Sequence, residues 1–261
     1  MVLFDIKVKT EKGVCAMQEA RKAIGILGGM GPAATVDLFR QIVANTDAGG
    51  DADHARILID NDPAVPDRTA ALLHGGPSPL PNLIRMARGL EKMGAGVLGI
   101  SCNTSHFFYE QVAAAVSVPI VNMIEESARE AARMGASEVI VLATEGTMRM
   151  RLYHDYMQKF GITVRQMTDK GQGLVTDMIY RYIKEGAPTY PREAFISEMK
   201  ETGADACPLV LGCTELPIAF RQLDITAFRT VDPTRCLARA LIREAGYPLR
   251  EAAIVGEAYH G

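Results

Sequence analysis

One structural device occurs twice in this chain, and it restricts the fold more than any other feature. Residues 85–93 read as a helix, Gly94-Ala95 as a turn, and residues 97–101 as an apolar strand that delivers Cys102. Residues 195–201, Gly203-Ala204 and residues 209–211 lead in the same order to Cys213. The punctuation recurs a third time, in Met134-Gly135-Ala136 before an apolar run at 138–143. Strands joined through helices are parallel strands, because a parallel pair needs a crossover long enough to return the chain to the same end of the sheet. In such sheets ligands gather where strands end and helices begin, since unpaired amides and loop side chains converge there. Both thiols are therefore expected at strand ends, facing a site.

The rest of the chain fits that frame. Strands are expected at 23–27, 55–60, 97–101, 118–121, 138–143, 162–166, 209–211 and 228–231, four before residue 122 and four after it. Helices are expected at 33–46, 83–93, 105–116, 124–134, 148–160, 173–185, 192–201, 216–222 and 233–245, with Pro32 suited to the first turn of its helix. The fold class is α/β: two similar parallel-sheet domains with a cleft between them. An eight-stranded barrel has the same strand count, but missing and extra helices argue against it. The first domain takes residues 21–118 and 232–261, and the second takes 119–231. Residues 1–20 form an extension, either an edge strand built on the alternation of Val2, Phe4, Ile6 and Val8 or a loose segment. Residues 61–81, with five prolines and two adjacent glycines, read as a long loop of the kind that is often functional.

Bulk properties exclude several classes. Lysine and arginine number 28 against 31 acids, a net charge of -3, which gives no reason to expect a nucleic-acid or anionic-membrane partner. The longest apolar runs are strand-length, far below the ~20 residues of a membrane span. Asp5, Lys7, Lys9, Glu11 and Lys12 interrupt the first twenty residues, which excludes the apolar core of a secretory signal and leads us to expect a cytosolic protein. Five cysteines without close pairing look like free thiols rather than a disulfide framework or a zinc site.

Reactivity is then the question to ask of those thiols. A free cysteine titrates near ~8.5, and a helix N-terminus or a cation lowers that value. Cys102 and Cys213 each precede a helix, and Asn103, Thr104 and Thr214 add side-chain donors that welcome an anion. A small carboxylate held between the two would expose its α-carbon to sulfur on either side; one thiolate taking a proton while the opposite thiol returns one inverts that centre. A carbanion beside a carboxylate needs a cage of preorganised donors. Cys15, Cys207 and Cys236 lack such company and read as structural thiols. His106 either polarises a thiol or caps and packs, and Glu215 either orients the Cys213 sulfur or sits at a helix N-terminus. Gly28-Gly29-Met30-Gly31 lacks the spacing of a dinucleotide loop, and Asp51-Ala52-Asp53-His54 lacks a third partner for a metal.

Five segments stand in a telling order: Gly28-Gly29-Met30-Gly31-Pro32-Ala33-Ala34-Thr35, Asn61-Asp62-Pro63 through Pro66-Asp67-Arg68-Thr69, Cys102-Asn103-Thr104, Ala143-Thr144-Glu145-Gly146-Thr147 and Gly212-Cys213-Thr214-Glu215. Over residues 24–233 the chain resembles the aspartate/glutamate racemase superfamily, aspartate racemases above all. The resemblance implies an amino-acid racemase that needs no cofactor, two α/β domains related by a pseudo-twofold axis, and a homodimer. It implies that Cys102 and Cys213 are the acid/base thiols and that Asn103, Thr104 and Thr214 hold the α-carboxylate and amino group. Arg68 and Lys184 would take the side-chain carboxylate of aspartate or a similar acid, and Met30 would line the pocket. Gly29, Gly31, Thr69, His106, Thr147 and Glu215 would stand just behind. Ser101 stands where alanine or another small residue is expected, a change of little consequence, and Arg149 with Arg151 replaces a more neutral stretch, pointing either to a different substrate acid or to a basic surface. Rival readings within the superfamily are a glutamate or broad-specificity racemase, a hydantoin racemase and a maleate isomerase; outside it stands a binding module for acidic amino acids.

Overall fold

The computed structural model describes residues 21–251, so the extension expected at 1–20, with Cys15 in it, lies outside the described residues. In the first half, β1 (Ala23–Gly28) turns into α1 (Pro32–Asn45), followed by β2 (Ile57–Asn61), α2 (Arg68–Leu73), α3 (Leu80–Lys92) and β3 (Ala95–Ile100). A 3₁₀ turn at Thr104–Phe108 leads into α4 (Tyr109–Ala113) and β4 (Ile120–Val121). Next come α5 (Met123–Arg133), β5 (Glu138–Leu142), α6 (Glu145–Arg149), α7 (Leu152–Lys159) and β6 (Thr163–Arg165). Then α8 (Asp169–Asp177) passes into a π-helical segment, Met178–Lys184. The chain closes with α9 (Arg192–Glu201), β7 (Leu209–Leu211), α10 (Glu215–Gln222), β8 (Thr230–Val231) and α11 (Pro233–Glu244).

All eight expected strands form, in two four-stranded parallel sheets with one shared order, β2-β1-β3-β4 and β6-β5-β7-β8. Strands β3 and β7, which deliver the two cysteines, are therefore central in their sheets and equivalent in position. No helix among the described residues is long and apolar enough to cross a membrane.

The helices need four corrections. The loop expected at 61–81 contains α2, started by Asp67, whose carboxylate accepts from the Ala70 amide at 2.7 Å. The helix expected at 105–116 opens as a 3₁₀ turn and is α-helical only at its end. The helix expected at 148–160 is two helices, parted at Arg151, whose φ of 52° belongs to the left-handed region that no α-helix continues through. The helix expected at 173–185 starts earlier, capped by Thr168, and widens into the π segment.

The two halves exchange helices. Asn122, after β4, caps α5 by accepting from the Ile124 and Glu125 amides, and Asp232, after β8, caps α11 by accepting from those of Thr234 and Arg235. Helix α5 buries Ile124, Ala128 and Ala131 against Val139, Val141 and Val210 of the second sheet. Helix α11 returns Leu237, Ala238 and Leu241 to Ile24, Ile26 and Val97 of the first. Because β4 pairs with β3, the first sheet runs past the boundary expected at residue 118, and we place the passage between halves at Asn122. A further tie is polar: Asp37 of α1, buried, accepts from Arg221 of α10 at 2.5 Å.

Close approach of α11 to the sheet depends on Gly99, where a Cβ would meet Leu241 Cδ1 at 2.8 Å. Leu241 is fully buried at that contact. Truncating it, Leu241→Ala, is expected to cost roughly 2–5 kcal/mol, the range for emptying a well-packed leucine site. Urea denaturation should show this as a lower midpoint with an unchanged slope.

Candidate active site

Each half delivers its cysteine by the same route. Cys102 stands two residues beyond β3 and Cys213 two beyond β7, so equivalent strand ends bring two sulfurs to one cavity of about 280 Å³ including its mouth. Both side chains are buried.

Two cations face the sulfurs. Arg68, expected in a loop, is the first residue of α2 and only 8% exposed. Its Nη2 donates to the Met30 carbonyl at 3.0 Å and its Nη1 to the Pro66 carbonyl at 3.2 Å, while Nε is buried without an acceptor. Burial works against its charge, yet Cys102, Asp67 and Glu215 outweigh that and raise its pKa. Lys184, from the π segment, lies 3.6 Å from Glu215 Oε1 and over the Tyr180 ring. Its pKa is raised as well, because Glu215, Cys213 and Cys102 offset burial.

The donors around the sulfurs are fixed before any ligand arrives. Asn103 Oδ1 accepts from the Tyr153 hydroxyl at 2.5 Å, which leaves the buried Nδ2 as a second donor without a partner. Buried donors are nearly always paired, so two orphans lining one cavity point to an anionic or carbonyl-bearing ligand. Thr104, from the first half, shares hydroxyl hydrogen bonds with Thr144 at 3.1 Å and Thr147 at 2.9 Å, both at the start of α6 in the second half. Ser105 donates to the Met30 sulfur at 3.2 Å and fixes that side chain on the cavity wall. Thr69 lines the cavity next to Arg68, and Thr214 and Glu215 complete the wall beside Cys213.

Four expected residues lie off the cavity surface and support it from behind. Gly29 has a φ of +91°, and a Cβ there would fall 2.4 Å from the Asp62 backbone, so only glycine allows this turn. Gly31 lies against Glu215, where a Cβ would sit 3.5 Å from Oε1. Thr147 acts through Thr104. His106 Nδ1 bonds the Cys102 carbonyl at 2.8 Å, and its Nε2 accepts from the Met123 amide at 3.1 Å, so the ring ties the Cys102 loop to the start of α5. Both ring nitrogens are thus spent on backbone. Cys207 belongs to the core of the second half, and Cys236 packs against the apolar cluster under α5. Arg149 pairs with Glu145 on the surface, and Arg151 is exposed, away from the cavity. Among the described residues no cluster of three metal-type side chains exists, and Asp51 and Asp53 form an exposed 3₁₀ turn.

Sequence reasoning missed three lining residues: Asp67, Thr144 and Tyr180. Asp67 and Thr144 are both N-caps, legible as Asp or Thr three residues ahead of the amides they accept from. Tyr180 had a weaker signal, four residues before Lys184 on the same helical segment.

The profile of the Asp/Glu/hydantoin racemase family matches residues 27–241. Among solved structures, an aspartate racemase from Picrophilus torridus is 30% identical, with 88% of this chain and 96% of that one aligned at a TM-score of 0.78. Among curated proteins, a broad-specificity amino-acid racemase of Bacillus subtilis is 25% identical over 223 residues, 84% of this chain and 96% of that protein. A glutamate racemase of Koribacter versatilis is 29% identical over 178 residues, of which this chain spans 59% of the relative's length.

His106 makes the region sensitive to acid. Its pKa is lowered to about 4, chiefly by burial, from an ordinary 6.5. The unfolded chain therefore takes up this proton before the folded one does. The contribution to stability is complete above pH 6.5 and is lost as pH falls toward 4, by roughly 3 kcal/mol. Replacing His106→Gln should flatten that part of the stability profile, read as the difference between urea midpoints at pH 7 and pH 4.

Proposed function

The chain belongs to the Asp/Glu/hydantoin racemase family, and from that footing we propose that it interconverts L- and D-aspartate through Cys102 and Cys213 without a cofactor. The observation that carries the proposal is the pairing, in one cavity, of two thiols from equivalent strand ends with two inward cations from opposite halves. A dicarboxylic amino acid matches that arrangement. The unpartnered Nδ2 of Asn103, with the Thr104 and Thr214 hydroxyls, receives the α-carboxylate and amino group. Arg68 and Lys184 receive the side-chain carboxylate, for which a buried guanidinium with a free Nε is well suited.

The α-carbon then lies between the sulfurs. In one direction Cys102 as thiolate takes the α-proton, the C–H electron pair remains on carbon, and Cys213 gives its proton to the opposite face. The carboxylate oxygens carry the developing charge, and the fixed donors stabilise it without reorganising. Exclusion of water from so small a cavity strengthens each of these interactions.

Aspartate is preferred because the cavity is small, both cations line the same wall as the thiols, and the similar Picrophilus protein is an aspartate racemase. A broader substrate range is the second reading, favoured by the Bacillus relative that aligns over most of both chains. We also propose that the protein works as a cytosolic homodimer.

Chiral chromatography of reactions with each L- and D-amino acid tests the substrate, and aspartate should turn over fastest. Cys102→Ser and Cys213→Ser should each lower racemisation by about 10²–10⁴-fold, the usual size of an acid–base contribution, with far-ultraviolet circular dichroism unchanged. In deuterated water, label should enter the α-position of the inverted product. Full activity in either serine variant, or inversion without label, would refute the two-thiol mechanism.

A further inference from the structure

The two halves repeat one another up to the cysteines and differ beyond them, most sharply two residues later. Thr104 stands at that distance from Cys102, whereas Glu215 stands there from Cys213. This is a large chemical difference at equivalent places in a site whose reaction treats its two faces alike.

Glu215 is 3% exposed, and nearly all of its bonding is to the site. Its Oε2 accepts from Cys213 Sγ at 3.0 Å and from the Thr214 hydroxyl at 3.2 Å, and its Oε1 faces Lys184 Nζ at 3.6 Å. A buried carboxylate is expensive unless its oxygens are partnered, and here one of the partners is a thiol. No carboxylate accepts from Cys102 among the described residues; the charge beside that sulfur is the Arg68 guanidinium.

We propose, resting on the racemase reading above, that Glu215 is the positioning residue of Cys213: thiol and carboxylate share one proton, held on sulfur at rest, so that Cys102 is the sulfur that begins as base. For Cys213 to act as base, a water proton first forms an S–H bond on the Cys102 thiolate. The Cys213 S–H bond then breaks as its proton forms an O–H bond on Oε2, moving the negative charge to the Cys213 sulfur. That thiolate takes the α-hydrogen while the C–H electron pair stays on carbon, and the Cys102 thiol delivers its proton to the other face. The Oε2 proton then leaves to water, which returns the site to its resting state with Cys102 as thiolate and Cys213 as thiol.

The other charged or titratable groups facing this pair are Lys184 and Tyr180 from the π segment, Tyr153 from α7, and Arg68, which faces Glu215 from α2. Burial first, and Glu215 next, push the Cys213 thiol well above its ordinary pKa, while Lys184 pulls it down. Glu215 and Lys184 therefore act on the sulfur with opposite signs, which gives the proposal two independent handles.

The test uses the full chain and reads the sulfur directly. Iodoacetamide labelling of Cys213, followed by peptide mass across pH, should have its midpoint lowered by about one pH unit in Glu215→Gln. It should be raised in Lys184→Met, whose partly exposed site tolerates replacement if the first variant fails to fold. With α-deuterated aspartate, E215Q should increase the isotope effect for one enantiomer and decrease it for the other. An unmoved or raised Cys213 midpoint in E215Q, an unmoved or lowered one in K184M, or equal changes for both enantiomers would overturn the role of Glu215 and leave the two-thiol racemase standing. Midpoints shifted as expected in the two variants of a parent protein that itself racemises no amino acid would instead count against the racemase reading while keeping the thiol–carboxylate pair.

Discussion

Charge taken out of water, and the need to match it, dominates the place where the two halves meet. Arg68, Lys184 and Glu215 lie within one small cavity, and an unpaired ion in such surroundings is strongly disfavoured. The solution is local. Backbone carbonyls of Met30 and Pro66 take the Arg68 donors, Thr214 and Cys213 satisfy one oxygen of Glu215, and Lys184 faces the other. The neighbouring structure serves to keep those partners in place: the glycine turn that presents the Met30 carbonyl, the Asp67 cap that starts α2 at Arg68, and the hydroxyl cluster that bridges the halves. What remains unmatched, Arg68 Nε and Asn103 Nδ2, is the part of the arrangement left for a ligand.

The two sheets that carry the site share one strand order, while the segments after their strands differ: a 3₁₀ turn follows Cys102, α10 follows Cys213, and among the described residues the second half alone holds a π segment. Identical strand orders place Cys102 and Cys213 alike, and the reciprocal exchange of α5 and α11 binds each half to the other through its own core. A pair of sheets held in this way presents two strand ends to one point with little freedom to slide. Chemical difference is then added one residue at a time, as with Thr104 opposite Glu215, without disturbing the backbone that positions the sulfurs.

Much of this was legible in the amino-acid order because strand-length apolar runs and Gly-Ala turns are strong local signals. All eight strands and both strand-end cysteines came from them. The helices were harder. Five prolines concealed α2, since prolines around a six-residue helix outweigh its own propensity and only the Asp67 cap marks its start. The break at Arg151 leaves no composition signal, because positive φ is uncommon for arginine and nothing in its neighbours' residue types marks it, although Tyr153 and Met157 just beyond are buried in the core. At the site, thiols and cations announced themselves by type. Thr144 and Tyr180 did not, because a capping threonine and a helical tyrosine acquire a role only when the second half is brought against the first.

The π-helical stretch at Met178–Lys184 makes the lysine's placement a matter of counting. The Glu185 amide reaches back five residues to the Tyr180 carbonyl, so this turn holds one residue more than an α-turn would. Deleting Arg181, Tyr182 or Ile183 would take out that extra residue, let the turn close with ordinary winding and leave Lys184 three residues after Tyr180 instead of four. The spacing that sets Lys184 over the Tyr180 ring would then be changed, although the lysine's chemical identity was untouched. In this stretch of the chain an indel is a more drastic event than a substitution, and chain length itself becomes a determinant of which charge the site can present.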